Sequence, residues 1–298
     1  MLNSKKLRTP FLPCLMGIFI AVLFCNCKQS QGNDGSARAD SKEHLTDGST
    51  VINPEGNTIQ TRFVPPNGFE RANYSDDSFG SFLRNLQLKP VGSKVRYFDG
   101  NIKGNDVYEA VVDMEISNKD LQQCADAVMR LRGEYFFKRQ EYTKISFTLT
   151  NGFKVDYSEW MKGNRVAVNG NKTEWQKNAA PSNTYSDFRQ YMEFVFTYAG
   201  TLSLDKSLRS KNSADIAIGD VFIRGGSPGH AVIVVDLAEN AAGEKVFLLA
   251  QSYMPAQEIQ VLKNTENAAL SPWYRIGKTD TELITPEWQF ELSQLKTW

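Results

Sequence analysis

Four apolar runs in the last third of the chain, DVFI, AVIVVDLA, KVFLLAQS and EIQVLK, are separated only by GGSPG, AENAAGE and MPAQ. Parallel strands need crossovers of a dozen or more residues, so connections this short predict an antiparallel meander. Within it VIVV is apolar without alternation, which marks a central strand covered on both faces. His230 immediately precedes that strand, at an edge where a groove could reach its ring.

Upstream, helical and strand patterns are mixed. In KISFTLTNGFKVDYSEW, Ile145, Phe147 and Leu149 alternate, Asn151-Gly152 turns the chain, and Phe153, Val155 and Tyr157 alternate again, the signature of a hairpin. TYSDFRQYMEFVFTYAG places Phe188, Met192, Val195 and Ala199 in helical register. SDDSFGSFLRNLQL puts Phe79, Phe82, Leu83 and Leu86 on one face of a short helix, with Asp76 and Asp77 as candidate caps. KVRYF and VYEAVVDMEI read as a pair of strands. The class expected is therefore α+β.

The first 27 residues carry Lys5, Lys6 and Arg8, no acidic residue, and then the apolar run FLPCLMGIFIAVLF. That run has the length of a signal-peptide core and falls short of the roughly 20 residues that span a bilayer, so export is expected. It ends at CNCK, and a cysteine directly after the apolar run is how bacterial lipoproteins are marked for lipid attachment. Cys27, preceded by small Asn26, is the favoured lipid site over Cys25, which follows bulky Phe24. The expected address is the cell envelope, the outer membrane in preference to the inner, with each buried CH₂ of the anchor contributing roughly 0.8 kcal/mol.

Residues 28–62 are polar, rich in Gly, Ser, Asn and Asp, and read as a disordered tether. A globular domain is expected over 63–298, with 63–116 as an N-terminal portion and 117–298 as the core carrying the chemistry. The chain has 298 residues, 41% of them hydrophobic, enough for one sizeable core. Net charge is zero, and losing the three leader bases leaves 31 basic against 34 acidic residues, which argues against a nucleic-acid partner. His44 in the tether has no neighbouring ligand, no P-loop or dinucleotide fingerprint occurs, and no cofactor or metal is expected.

With Cys14, Cys25 and Cys27 assigned to leader and lipid site, Cys124 is the one remaining thiol, and a disulfide framework is excluded. It lies in the helical segment QQCADAVMRLRGEYFF, where Cys124, Val128, Leu131 and Tyr135 share a face. Ser117, Asn118 or Asp120 could cap that helix, which would set Cys124 about a turn inside it; a start at Gln122 or Gln123 would bring the thiol into the first turn, where the helix dipole favours a thiolate. Two readings follow: a small hydrophobe in the core, or a nucleophile paired with His230.

Gly219-Asp220 followed by VFI, a glycine-bearing turn, then Gly229-His230 and an apolar strand resembles the histidine half of papain-like cell-wall amidases and peptidases, the cysteine, histidine-dependent amidohydrolase type included. The resemblance implies a papain-like α+β fold, a cysteine-bearing helix packed on an antiparallel meander. It also implies a chain order of Cys on a helix, His on a strand and a polar residue on the next strand, here Cys124, His230 and Gln251. In those roles Cys124 attacks an amide carbonyl, His230 moves the proton and Gln251 orients the ring. Longer strings, among them SFGSFLRNLQLKPVGSKV, DLQQCADAVMRLRGEYFF, IGDVFIRGGSPGHAVIVVD and FLLAQSYMPAQEIQVLKN, resemble a family of Bacteroidota lipoproteins known as a domain of unknown function.

An envelope-anchored amidase would meet peptidoglycan stem peptides or other peptide amides, with Ser227, Ser252 and Tyr253 as candidate groove residues. Arg130, Arg132 and Glu134 read equally as helix-surface ion pairs or ligand contacts, and Trp160, Trp175 and Trp273 as core or as sugar-stacking faces. A serine hydrolase is disfavoured by the lack of a G-x-S-x-G elbow. The alternative from a different class is a lipid-anchored binding or structural module in which Cys124 is core and His230 a turn residue.

Overall fold

The computed structural model describes residues 51–298, and Cys27 and the leader lie outside the described residues. Packed structure is already present inside the tether expected over 28–62, ahead of the domain start expected at 63. Helix α1 (Ile59–Arg62) is capped by the Thr58 hydroxyl, which accepts from Thr61 N, and Ile59 and Arg62 are buried. Polar composition hid this segment, because a single four-residue helix anchored by one isoleucine carries no periodicity.

Strand β1 (Phe69–Arg71) and helix α2 (Phe79–Arg84) follow. The cap of α2 is Ser78, accepting from Ser81 N at 3.1 Å, in place of Asp76 or Asp77. Strand β2 (Tyr108–Val111) comes next, but KVRYF does not pair with it: Arg96 and Tyr97 make only isolated bridges, to Ile102 and Gln257. Helix α3 (Cys124–Lys138) is followed by the expected hairpin, β3 (Ser146–Thr148) and β4 (Lys154–Asp156), with Phe147 opposite Val155.

The polar stretch around Trp160 and Trp175 folds as helix α4 (Tyr157–Met161) and a hairpin of β5 (Asn164–Asn169) and β6 (Lys172–Lys177). Helix α5 (Tyr185–Tyr198) buries Phe188, Met192 and Val195 as its spacing predicts, and α6 (Thr201–Ser207) leads into β7 (Arg209–Ser210). Then come β8 (Val221–Arg224), β9 (His230–Asn240), β10 (Lys245–Gln251) and β11 (Gln260–Leu262), the four runs of the meander. The chain closes with β12 (Tyr274–Arg275), a hairpin of β13 (Glu282–Ile284) and β14 (Gln289–Glu291), and β15 (Leu295–Thr297).

The main sheet runs β2-β11-β10-β9-β8-β15-β7, with β1 also on β9 and β12 on β10. Its pairings are antiparallel, so the architecture is mixed α+β around a mostly antiparallel sheet. Strand β9 is central, and Ala231, Val232, Ile233, Val234 and Val235 are all buried. Covering each valine or isoleucine stabilises the fold by about 1.5–3 kcal/mol, which is why the unalternating run must sit between layers. Helix α3 packs on β9 and β10, and its Val128 and Leu131 are fully buried. Behind it, Phe137, Tyr157, Phe188 and Tyr191 form an aromatic cluster joining α3, α4 and α5.

One buried charge ties the N-terminal portion to this sheet. Asp236, midway along β9, accepts from Arg84 Nε at 2.6 Å and Arg71 Nε at 2.7 Å. Gly219 permits the entry to β8: its φ of +91° is in the left-handed region, and a Cβ there would run into the Phe79 ring.

Candidate functional site

Cys124 is the first residue of α3, so the thiol occupies the first turn. The helix cannot begin earlier because the residues before it are strapped to the β10–β11 connection. Asp120 Oδ1 accepts from Ala256 N at 2.6 Å and from Gln123 Nε2 at 3.1 Å, and Gln122 O accepts from Ser252 Oγ at 2.9 Å. Asp120, a candidate cap by sequence, is thereby committed elsewhere. Gln123 stands at the cap position in extended conformation, and its N–H donates to Asp126 Oδ2 at 3.0 Å.

Across the interface, Gly229 and His230 lead into β9. A Cβ on Gly229 would collide with the carbonyl oxygens of Gly226 and Arg224 and with Thr201 Oγ1, so only glycine lets the turn close this tightly ahead of the histidine. His230 is 1% exposed, and its Nε2 lies 2.8 Å from Gln251 Oε1 at the end of β10. Tyr253, Trp288 and Phe290 wall the imidazole, with ring centroids 4.7, 5.4 and 5.9 Å away.

Cys124 faces the backbone that follows the histidine: the N–H groups of Ala231, Ala125 and Cys124 itself lower the thiol's pKa. These donors favour a thiolate, yet burial and then the Asp126 carboxylate outweigh them and push the thiol up to about 11. Burial likewise lowers His230 to about 4; the Gln251 bond works against that shift and the Lys103 charge adds to it. Both shifts favour the neutral forms, a thiol and an uncharged imidazole. Cys124 nevertheless keeps partial exposure. Asp126, two residues on, is raised to about 8 by burial.

Of the candidate groove residues, Tyr253 lies on the histidine ring, and Ser227 is exposed in the loop before it. Ser252 is fully buried and spends its hydroxyl on the carbonyls of Gln122 and Gln257, so it braces the cysteine loop and does not line a groove. Arg130 is buried, bonded to Glu134 at 2.6 Å and to Gln122 Oε1 at 2.9 Å. Arg132 sits over the Phe79, Phe136 and Trp298 rings. Trp160 and Trp273 are core, and Trp175 packs on Phe153, so these three rings form no sugar-stacking face.

Sequence reasoning missed Glu287 and Lys103. Gln251 Nε2 donates to Glu287 Oε2 at 2.7 Å, and the same oxygen accepts from Lys103 Nζ, also at 2.7 Å. Both residues come from irregular segments far from the cysteine helix in sequence, and no motif or periodicity marks them. Asp126 carried a weak signal as an acid at the third position of a helix. Among the described residues no group of three His, Cys, Asp or Glu side chains is placed to hold a metal ion, and no helix is long and apolar enough to cross a membrane. Open clefts of about 560 and 650 Å³ lie along residues 264–284 and 213–292, and neither is lined by Cys124, His230 or Gln251.

Residues 59–297 match the family described as Domain of unknown function (4846), and the chain belongs to that family. No curated protein and no solved structure matches it.

Proposed function

We propose that this member of the family is a cysteine hydrolase of peptide amide bonds with a papain-like arrangement. The observation that supports the reading is Cys124 at the first position of a 15-residue helix that packs on β9, the strand His230 opens, with the His230 ring held by Gln251. On substrate binding His230 takes the thiol proton through Nδ1 as the sulfur attacks the carbonyl carbon. As the sulfur bonds to carbon and loses its negative charge, the N–H groups at the start of the helix that favoured its thiolate become donors for the developing oxyanion. The imidazolium then protonates the leaving amine, and a thioester remains on Cys124. Water, deprotonated by His230, attacks that thioester, and the carboxylic acid leaves as the thiol is restored.

A neutral resting pair suits this sequence of events, since the proton moves only when a carbonyl is present to receive the sulfur. The same neutrality supports a second reading, a non-catalytic binding or structural module in which Cys124 is a buried thiol. We further propose that the chain is a lipoprotein anchored through Cys27 and that its substrates are peptidoglycan stem peptides. Those two statements rest on the leader sequence and the location it implies.

The test is incubation of the purified protein with stem peptides and a peptide-amide library, read by mass spectrometry, beside Cys124→Ser and His230→Ala. New amine and acid termini that vanish in both variants, together with a Cys124 thioester trapped at short times, are expected. No cleavage, with Cys124→Ser less stable than the parent, would favour the module.

A further inference from the structure

The bond between His230 and Gln251 has a direction, and the structure shows what imposes it. An amide side chain has a donor end and an acceptor end, while a carboxylate only accepts. Gln251 is 1% exposed and lies between His230 and Glu287, so both amide ends are committed inside the protein. Its Nε2 must face Glu287 Oε2, because the reverse orientation would set amide oxygen against carboxylate oxygen. Oε1 then faces His230 Nε2, and an acceptor there requires that Nε2 carry the ring proton. Nδ1 is left with the lone pair.

Lys103 holds the far end of this chain. Its side chain is 2% exposed, and Nζ donates to Glu287 Oε2 at 2.7 Å and to Gln257 Oε1 at 3.0 Å while standing 5.7 Å from the Tyr253 ring centroid. Glu287 is in the turn between β13 and β14, whose Trp288 and Phe290 also wall the imidazole. The C-terminal hairpin therefore delivers a carboxylate and two aromatic rings together. A salt bridge buried for stability alone would not need to accept from the residue that touches the histidine, and burying such a pair is at best weakly stabilising.

We propose that Glu287, anchored by Lys103, is a positioning residue that fixes the Gln251 amide and so the tautomer of His230, making Nδ1 the base. This rests on the hydrolase reading for its purpose, but the tautomer can be read without any substrate. Neutral Gln251 can orient an imidazole, and Glu287 supplies the polarity that a lone amide lacks.

The experiment is ¹⁵N NMR of the ring nitrogens in ¹⁵N-histidine-labelled protein, with His44, the other histidine of the chain, replaced by His44→Gln. The parent is expected to give one tautomer, with a protonated, pyrrole-type Nε2 and a pyridine-type Nδ1. Glu287→Ala should give a tautomer mixture, and Glu287→Asp should restore the single form. Where Glu287→Ala fails to fold, Lys103→Met with Glu287→Ala removes the unpaired ammonium and carries the same measurement. An unchanged tautomer in a folded variant, or a parent protonated on Nδ1, would overturn the proposal. Hydrolysis should lose at least about tenfold in kcat at unchanged KM, the usual scale for a tautomer-holding partner. A protein that hydrolyses nothing yet loses its tautomer in Glu287→Ala defeats the hydrolase reading alone. One that hydrolyses with its tautomer indifferent to Glu287 defeats only the positioning role.

Discussion

The thiol of Cys124 should be hard to ionise, and the structure says by how much and why. Burial and the Asp126 carboxylate raise it from an ordinary 9.0 to about 11, against three backbone N–H donors. Two decades of thiolate are lost at any pH below 9, about 2.7 kcal/mol at 1.36 kcal/mol per decade. Alkylation by iodoacetamide, followed at the Cys124 peptide by mass spectrometry, should run about 100-fold slower than an ordinary thiol at pH 7. It should climb with pH through the region of 11. Asp126→Asn should lower the apparent value, because Asp126, itself raised to about 8, is charged when the thiol titrates. His230→Ala should not raise it, since a ring lowered to about 4 is neutral at neutral pH and lends the thiolate no charge. An apparent thiol value below 8 that rises in His230→Ala would refute this: it would mean a resting ion pair, with mutual attraction outweighing burial.

Asp236→Ala should leave Arg71 and Arg84 facing an empty position in the sheet, at a cost of about 3–5 kcal/mol. Urea unfolding should register a midpoint lower by about 1–2 M at an ordinary slope, and a shift under about 0.3 M would mean that the clamp contributes little. Gly229→Ala should cost about 1–3 kcal/mol as overpacking against the Gly226 and Arg224 carbonyls. The same variant should broaden the His230 ring signals, and a wild-type spectrum would show that the turn absorbs the methyl group.

The legible parts of this protein were those in which one short stretch carries its own instruction. The unalternating VIVV run, the connections too short for crossovers, the Asn151-Gly152 hairpin and the α5 periodicity each express a local rule of burial or chain reversal, and β8 to β11, β3, β4 and α5 are where that rule placed them. Gly229-His230 before an apolar strand and a lone cysteine in a helical segment were also visible in the residues. The N-terminus of α3 was not, because Asp120 and Gln122 are bound by Ala256 and Ser252, more than 100 residues away, and that strap decides where the helix can start. Nor were Lys103 and Glu287, whose positions beside Gln251 follow from two loops closing over the sheet. Ionisation was decided there too: a thiol at a helix N-terminus favours the thiolate by local rules, but here tertiary burial and the Asp126 carboxylate outweigh the backbone donors. Chain reversal and the pairing of β8 through β11 arise from neighbours in sequence, whereas desolvation and hydrogen-bond direction arise from neighbours in space.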